Sequence, residues 1–174
     1  GMRWQDWTEH DELTLAHDLC MLRWRPAPRL QVVLPKRLGG VRTVYVSTLR
    51  DKVVEGAWRL ALTDLFPFPE RCDLMMGPLA CGGAQLPQWL GTPGARWVLR
   101  SDIRACFDEI PKAALLSVVG RRLHDGRSLV LLHRLLGPEE RGVPQGLVCA
   151  PILANLYLAN ALDVWRGRVA CFAR

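Results

Sequence analysis

No two of the six cysteines form a CxxC pair, and none gathers with a histidine into a compact metal-ligand group; His10, His17, His124 and His133 share no ligand spacing. Nothing therefore points to a zinc module or a disulfide framework. With no recognisable secretory leader, reduced thiols and a cytoplasmic location are the expectation. No apolar run approaches the roughly 18–20 residues of a membrane span, so no membrane partner is expected. Internal repeats, low-complexity tracts and linker-like stretches are also missing, which leaves no sign of a second independent domain.

What is there suits a folded core: 49% of the 174 residues are hydrophobic and 23% charged, the balance of an ordinary globular domain. Length alone allows either one complete core or a piece of a larger one. A formal net charge of +6 and a pI near 9.3 favour contact with a polyanion, and many arginines cluster within 23–42, 121–127 and 166–174. A merely solvated basic surface gives the same count.

The pattern along the chain predicts a moderately amphipathic helix over about 11–24, ended by Pro26 and Pro28. Residues 30–35 and 41–47 are β-branched runs joined by Lys36-Arg37-Leu38-Gly39-Gly40, which predicts a hairpin with a positive tip. Thr48-Leu49-Arg50-Asp51 has capping-box form and opens a helix over 49–66; Pro67 and Pro69 close it. Residues 67–94 read as irregular, with a short helix near 85–90. Residues 96–101 (RWVLRS) form a strand candidate running into Asp102. After Pro111, a four-residue apolar step predicts one helix; 127–136 predicts a second, more uniformly apolar and buried, with Asp125-Gly126 as the break. A rigid GVPQG turn (142–146) precedes a helix opened by Pro151, and 168–173 begins a last strand.

A carboxylate fixed at a strand end, as at Asp102, suits phosphoryl transfer by two metal ions, because such chemistry needs oxygen ligands held rigidly around the reacting groups. Alone this signal is weak. Its combination is specific: DIRACFDEI at 102–110, then GVPQGLVCAPILANLYLANALD at 142–163, resembles the paired motifs of reverse transcriptases of the group II intron type. LPKRLGGVRTVYVSTLRDKVVEGAWRLAL resembles the same family's fingers region, so the resemblance runs over about 31–174 and is weakest from 67 to 94. There relatives carry a serine-glycine-phenylalanine-arginine type of element that CDLMMGPLACGGAQ does not show.

The resemblance implies an α+β right-hand polymerase fold, fingers and partial palm, with helices packed on a small antiparallel sheet. Residues 1–95 would be the fingers region (basic hairpin 30–47, helix 49–66, irregular 67–94), and 96–174 a partial palm with interleaved fingers helices. The implied activity is RNA-directed DNA polymerisation with Mg²⁺, an RNA template, a DNA or RNA primer and deoxynucleoside triphosphates as partners. Asp102 would be the catalytic metal-binding aspartate, and the backbone carbonyl of Ile103 its neighbouring ligand. Phe107 would be the steric gate against a 2′-hydroxyl. Lys36 and Arg42 would grip the triphosphate, with Arg37 and Arg50 as helpers. Gln145 would lie against nucleotide and template, its approach fixed by Pro144 and Gly146. Asp108 reads as a structural cap of the helix near Pro111 rather than a metal ligand, and Asp163 as structural. Ala150 replaces the family's serine.

In the family a strand like VACFAR leads into a tyrosine-x-aspartate-aspartate turn, and the 174 residues do not include one. The expectation is an incomplete Mg²⁺ site, a chain inactive by itself, and an exposed terminal strand open to self-association. The alternative from another class is a non-catalytic nucleic-acid-binding or protein-interaction module on the same scaffold. Asp102, Phe107 and Gln145 together argue for the polymerase.

Overall fold

The structure, a computed structural model, describes residues 3–36, 39–66, 91 and 103–162. After a short 3-10 turn, Trp4–Asp6, the elements are α1 (Glu9–Cys20), β1 (Leu30–Pro35), β2 (Val41–Val46), α2 (Leu49–Leu65), α3 (Cys106–Glu109), α4 (Lys112–Gly120), α5 (Gly126–Leu136) and α6 (Ala150–Leu162). Helices and a two-stranded antiparallel sheet make it an α+β chain. The expected strands at 96–101 and 168–173, the irregular stretch to 90 and the terminal edge lie outside the described residues.

Helix α1 starts and stops earlier than periodicity predicts. Thr8 caps it, accepting the Asp11 N–H while the Asp11 carboxylate accepts the Thr8 N–H at 3.0 Å, a reciprocal box that satisfies two orphan donors. Leu22 takes φ 54 and turns the chain out of the helix, so the prolines do not end it. Trp24 consequently leaves the helical face and sits in the core, 1% exposed.

The hairpin forms as expected, with Leu30 opposite Val46 and Pro35 opposite Val41. At α2 the box is only half made. Thr48 accepts the Asp51 N–H, but the buried Asp51 carboxylate accepts the Thr48 hydroxyl at 2.8 Å and the Ala27 N–H at 3.0 Å. It thereby stitches the segment before β1 to the start of α2.

Helices α2, α4, α5 and α6 pack on one another, α4 touching both α5 and α6. One buried cluster joins Leu15, Trp24, Val54, Trp58 and Leu62 to Leu115, Leu132, Leu136, Val143 and Leu153, so the core draws on both sides of the 95/96 division. No strand residue of β1 or β2 is buried. Among the described residues the helices therefore pack against helices, and the hairpin stands beside them. Helix α5, expected to be buried throughout, is amphipathic, with Leu132, Leu135 and Leu136 buried and Val130 and His133 exposed, whereas the first half of α6 is enclosed over Ile152, Leu153, Ala154, Asn155 and Leu156. Each fully buried leucine stabilises by about 1.5–3 kcal/mol.

Candidate nucleotide and template site

The GVPQG turn is held on two sides. On one side it runs antiparallel to the chain around α3: Gly142 N–H donates to Ile110 O at 2.9 Å, Val143 N–H to Phe107 O at 2.8 Å, and Lys112 N–H to Glu140 O at 3.0 Å. On the other side Tyr45 N–H, on the free edge of β2, donates to Gln145 O at 2.7 Å. Gly146 makes that approach possible. It has φ +111, and a Cβ there would lie 2.9 Å from Val44 Cγ1 and nearer still to Tyr45 O. Only glycine combines that backbone conformation with that proximity.

Strand register sorts the hairpin charges. Arg42 lies opposite Leu34, and the ladder continues with Lys36 N–H donating to Gly40 O at 3.0 Å. Successive strand residues alternate between faces, so Lys36, Arg42 and Val44 share one face, the one whose Val44 meets Gly146. Both cations are exposed, and among the described residues neither forms an ion pair. Arg50 is differently engaged: it pairs with Asp18 of α1 and ties α1 to the start of α2. Arg37 lies outside the described residues.

Phe107 is half-buried against the core on α3, and its own carbonyl anchors the turn through Val143. Ala105, just before α3, is held at φ 48, a conformation costly for a residue with a Cβ. Asp108 does not cap the helix after Pro111, because Pro111 is itself the N-cap residue and α4 has no side-chain cap. The Asp108 carboxylate instead accepts from Gln145 Nε2 at 3.4 Å, orienting the amide of the glutamine singled out in the sequence. Asp102 lies outside the described residues, while Ile103 is exposed. Among the described residues no three His, Cys, Asp or Glu side chains gather as metal ligands. A carboxylate and a carbonyl are nonetheless the oxygen donors that Mg²⁺ takes.

Sequence reasoning missed two residues that build the site. Tyr45 acts through its backbone, which no composition rule flags. Glu55, on α2 and 1% exposed, accepts from Val148 N–H at 2.9 Å and from the Ser47 hydroxyl. Burial and then the Glu55 carboxylate push the Cys149 thiol up to about 12. Behind the turn lies a cleft of about 550 Å³ lined by Pro26, Arg29, Tyr45, Arg134 and Pro144 among others. Its Arg29 and Arg134 donate to the carbonyls of Leu135 and Leu22, so they hold the chain around α5.

The cation-bearing hairpin, the PQG turn docked on its β2 edge and Phe107 on α3 are thus joined through backbone hydrogen bonds. Residues 34–173 match the family described as reverse transcriptase (RNA-dependent DNA polymerase), and the chain belongs to that family of nucleotidyltransferases, in its group II intron-like branch. It is 30% identical over 173 residues to Protein YkfC of Escherichia coli (strain K12), covering 88% of this chain and 43% of that protein. It is 29% identical over 147 residues to the group II intron-encoded protein LtrA of Lactococcus lactis subsp. cremoris, covering 76% and 24%. Over 157 residues it is 29% identical to the putative COX1/OXI3 intron 2 protein of Saccharomyces cerevisiae, covering 83% and 18%. The chain spans less than half the length of these relatives.

Proposed function

We propose that this chain supplies the triphosphate-gripping and template-side part of an RNA-directed DNA polymerase that adds deoxynucleotides to a primer on an RNA template. The observation that carries this reading is the Tyr45–Gln145 bond with its Gly146 approach. It sets the hairpin face of Lys36 and Arg42 beside the glutamine turn, although the two segments are far apart in the chain. On that face Lys36 and Arg42 bind the triphosphate as point charge and bidentate fork. The Gln145 amide, steadied by Asp108, faces the incoming nucleotide and template, with Pro144 and Gly146 fixing its backbone. Phe107 closes the space a 2′-hydroxyl would need. Asp102 and the Ile103 carbonyl would hold Mg²⁺, which when bound supplies charge stabilisation for in-line phosphoryl transfer.

Calorimetric binding of a deoxynucleoside triphosphate with Mg²⁺ tests this. Lys36→Gln and Arg42→Gln should each weaken binding by about tenfold or more, the value of a charge-assisted hydrogen bond. Phe107→Ala should narrow the preference for deoxy- over ribonucleotide. Unchanged affinity in both cation variants contradicts the reading.

A further inference from the structure

Two carboxylates near the turn have different surroundings. Asp108 is exposed, whereas Glu55 is almost fully buried in the middle of α2. A buried carboxylate is costly unless its oxygens are hydrogen-bonded, and here each oxygen has its own partner: Oε1 takes the Ser47 hydroxyl and Oε2 the Val148 N–H. Ser47 is two residues beyond Tyr45, and Val148 is three beyond Gln145. The Tyr45–Gln145 bond therefore closes a ring that runs from β2 to Ser47, through Glu55 to Val148, and back along the turn to Gln145. A lone edge hydrogen bond in a solvent-exposed hairpin is weak. Anchoring both strands of the junction to one buried side chain makes opening at either bond require the other to strain.

We propose that Glu55 is a positioning residue: its carboxylate clasps the cation-bearing hairpin to the glutamine turn and sets the spacing between Lys36 and Arg42 on one side and Gln145 on the other. That role rests on the nucleotide-site reading above, while the clasp itself is a property of the fold. Glu55 is 1% exposed and its oxygens are taken by Ser47 and Val148, so it acts through them. A glutamine at this position keeps an acceptor and adds a donor, and a leucine keeps the volume and removes both bonds.

The test is amide hydrogen exchange on the 174-residue chain and its Glu55→Gln and Glu55→Leu variants, with the amide of Leu132 in α5 as the internal reference. In Glu55→Leu, exchange at Tyr45 and Val148 should accelerate by about tenfold relative to Leu132. Glu55→Gln should keep most of the protection. Deoxynucleoside triphosphate affinity, measured on the same samples, should fall in the leucine variant and recover in the glutamine one. If Tyr45 and Val148 accelerate only in step with Leu132, or if glutamine behaves like leucine, the clasp is refuted. If the exchange pattern is as expected and the unsubstituted chain binds no triphosphate, the nucleotide-site reading fails and the clasp stands.

Discussion

Gly146→Ala probes the contact on which the site depends. The new methyl group would be built at φ +111, 2.9 Å from Val44 Cγ1 and closer to the backbone oxygen of Tyr45. A strand backbone cannot step aside as a flexible side chain can. Holding an L-residue with a Cβ at positive φ costs roughly 1–2 kcal/mol. Pushing β2 away also breaks the Tyr45–Gln145 hydrogen bond, worth about 0.5–1.5 kcal/mol. The sum, about 1.5–3.5 kcal/mol, is a large share of a typical domain's stability of roughly 5–15 kcal/mol. Gly56→Ala is the matched control: Gly56 lies within α2, and a Cβ there meets nothing within 4 Å. That change should stabilise by about 0.5–1 kcal/mol. Urea denaturation of both variants, with Tyr45 amide exchange as the local readout, decides the matter. A Gly146→Ala chain as stable as the unsubstituted one, with Tyr45 still protected, would refute the close approach and the docking of the turn.

Three further outcomes follow from the same geometry. Ala105→Gly should raise stability by roughly 0.5–1 kcal/mol in thermal melts, because it relieves an exposed residue held at positive φ. Cys149 should leave the folded protein pH-sensitive on the alkaline side. Its folded value of about 12 lies above the ordinary 9.0, so stability is full below pH 9 and falls by up to about 1.4 kcal/mol per pH unit between 9 and 12 as only the unfolded thiol ionises. Cys149→Ala should flatten that limb of a stability–pH curve. Asp125 caps α5 through the N–H groups of Arg127 and Ser128, and the Ser128 hydroxyl bond is the first cause holding its carboxyl below the ordinary 3.8. Its contribution is present above pH 3.8 and lost as pH falls through the lower folded value, so amide exchange at Leu129 should show α5 fraying in acid in the unsubstituted chain, whereas Asp125→Ala is already frayed at neutral pH and changes little on acidification.

Much of the frame was legible in the sequence because its causes are local. The hairpin at Leu30–Pro35 and Val41–Val46 follows from β-branched runs on either side of a glycine pair, and α2 follows from a cap and a helical period. The GVPQG turn and the DIRACFDEI segment were readable as motifs. The errors arise where residues distant in sequence decide. Asp108 resembled a cap by position, yet it is drawn to Gln145. The α5 segment looked buried from its leucines, but the helix turns His133 and Val130 outward while α6 takes the centre. Glu55 was invisible for the same reason: a glutamate on a helix reads as solvated surface until Ser47 and Val148 are placed around it.

If the hairpin face and the glutamine turn form one nucleotide site, as proposed, both must respond to the same ligand. Titration of a deoxynucleoside triphosphate with Mg²⁺ into isotope-labelled chain, followed by NMR, tests it most directly. Resonances of Lys36, Arg42, Tyr45 and Gln145 should shift together along one binding curve, and Lys36→Gln should displace the whole curve. Shifts confined to the hairpin, or separate curves for Lys36 and Gln145, would contradict the proposal.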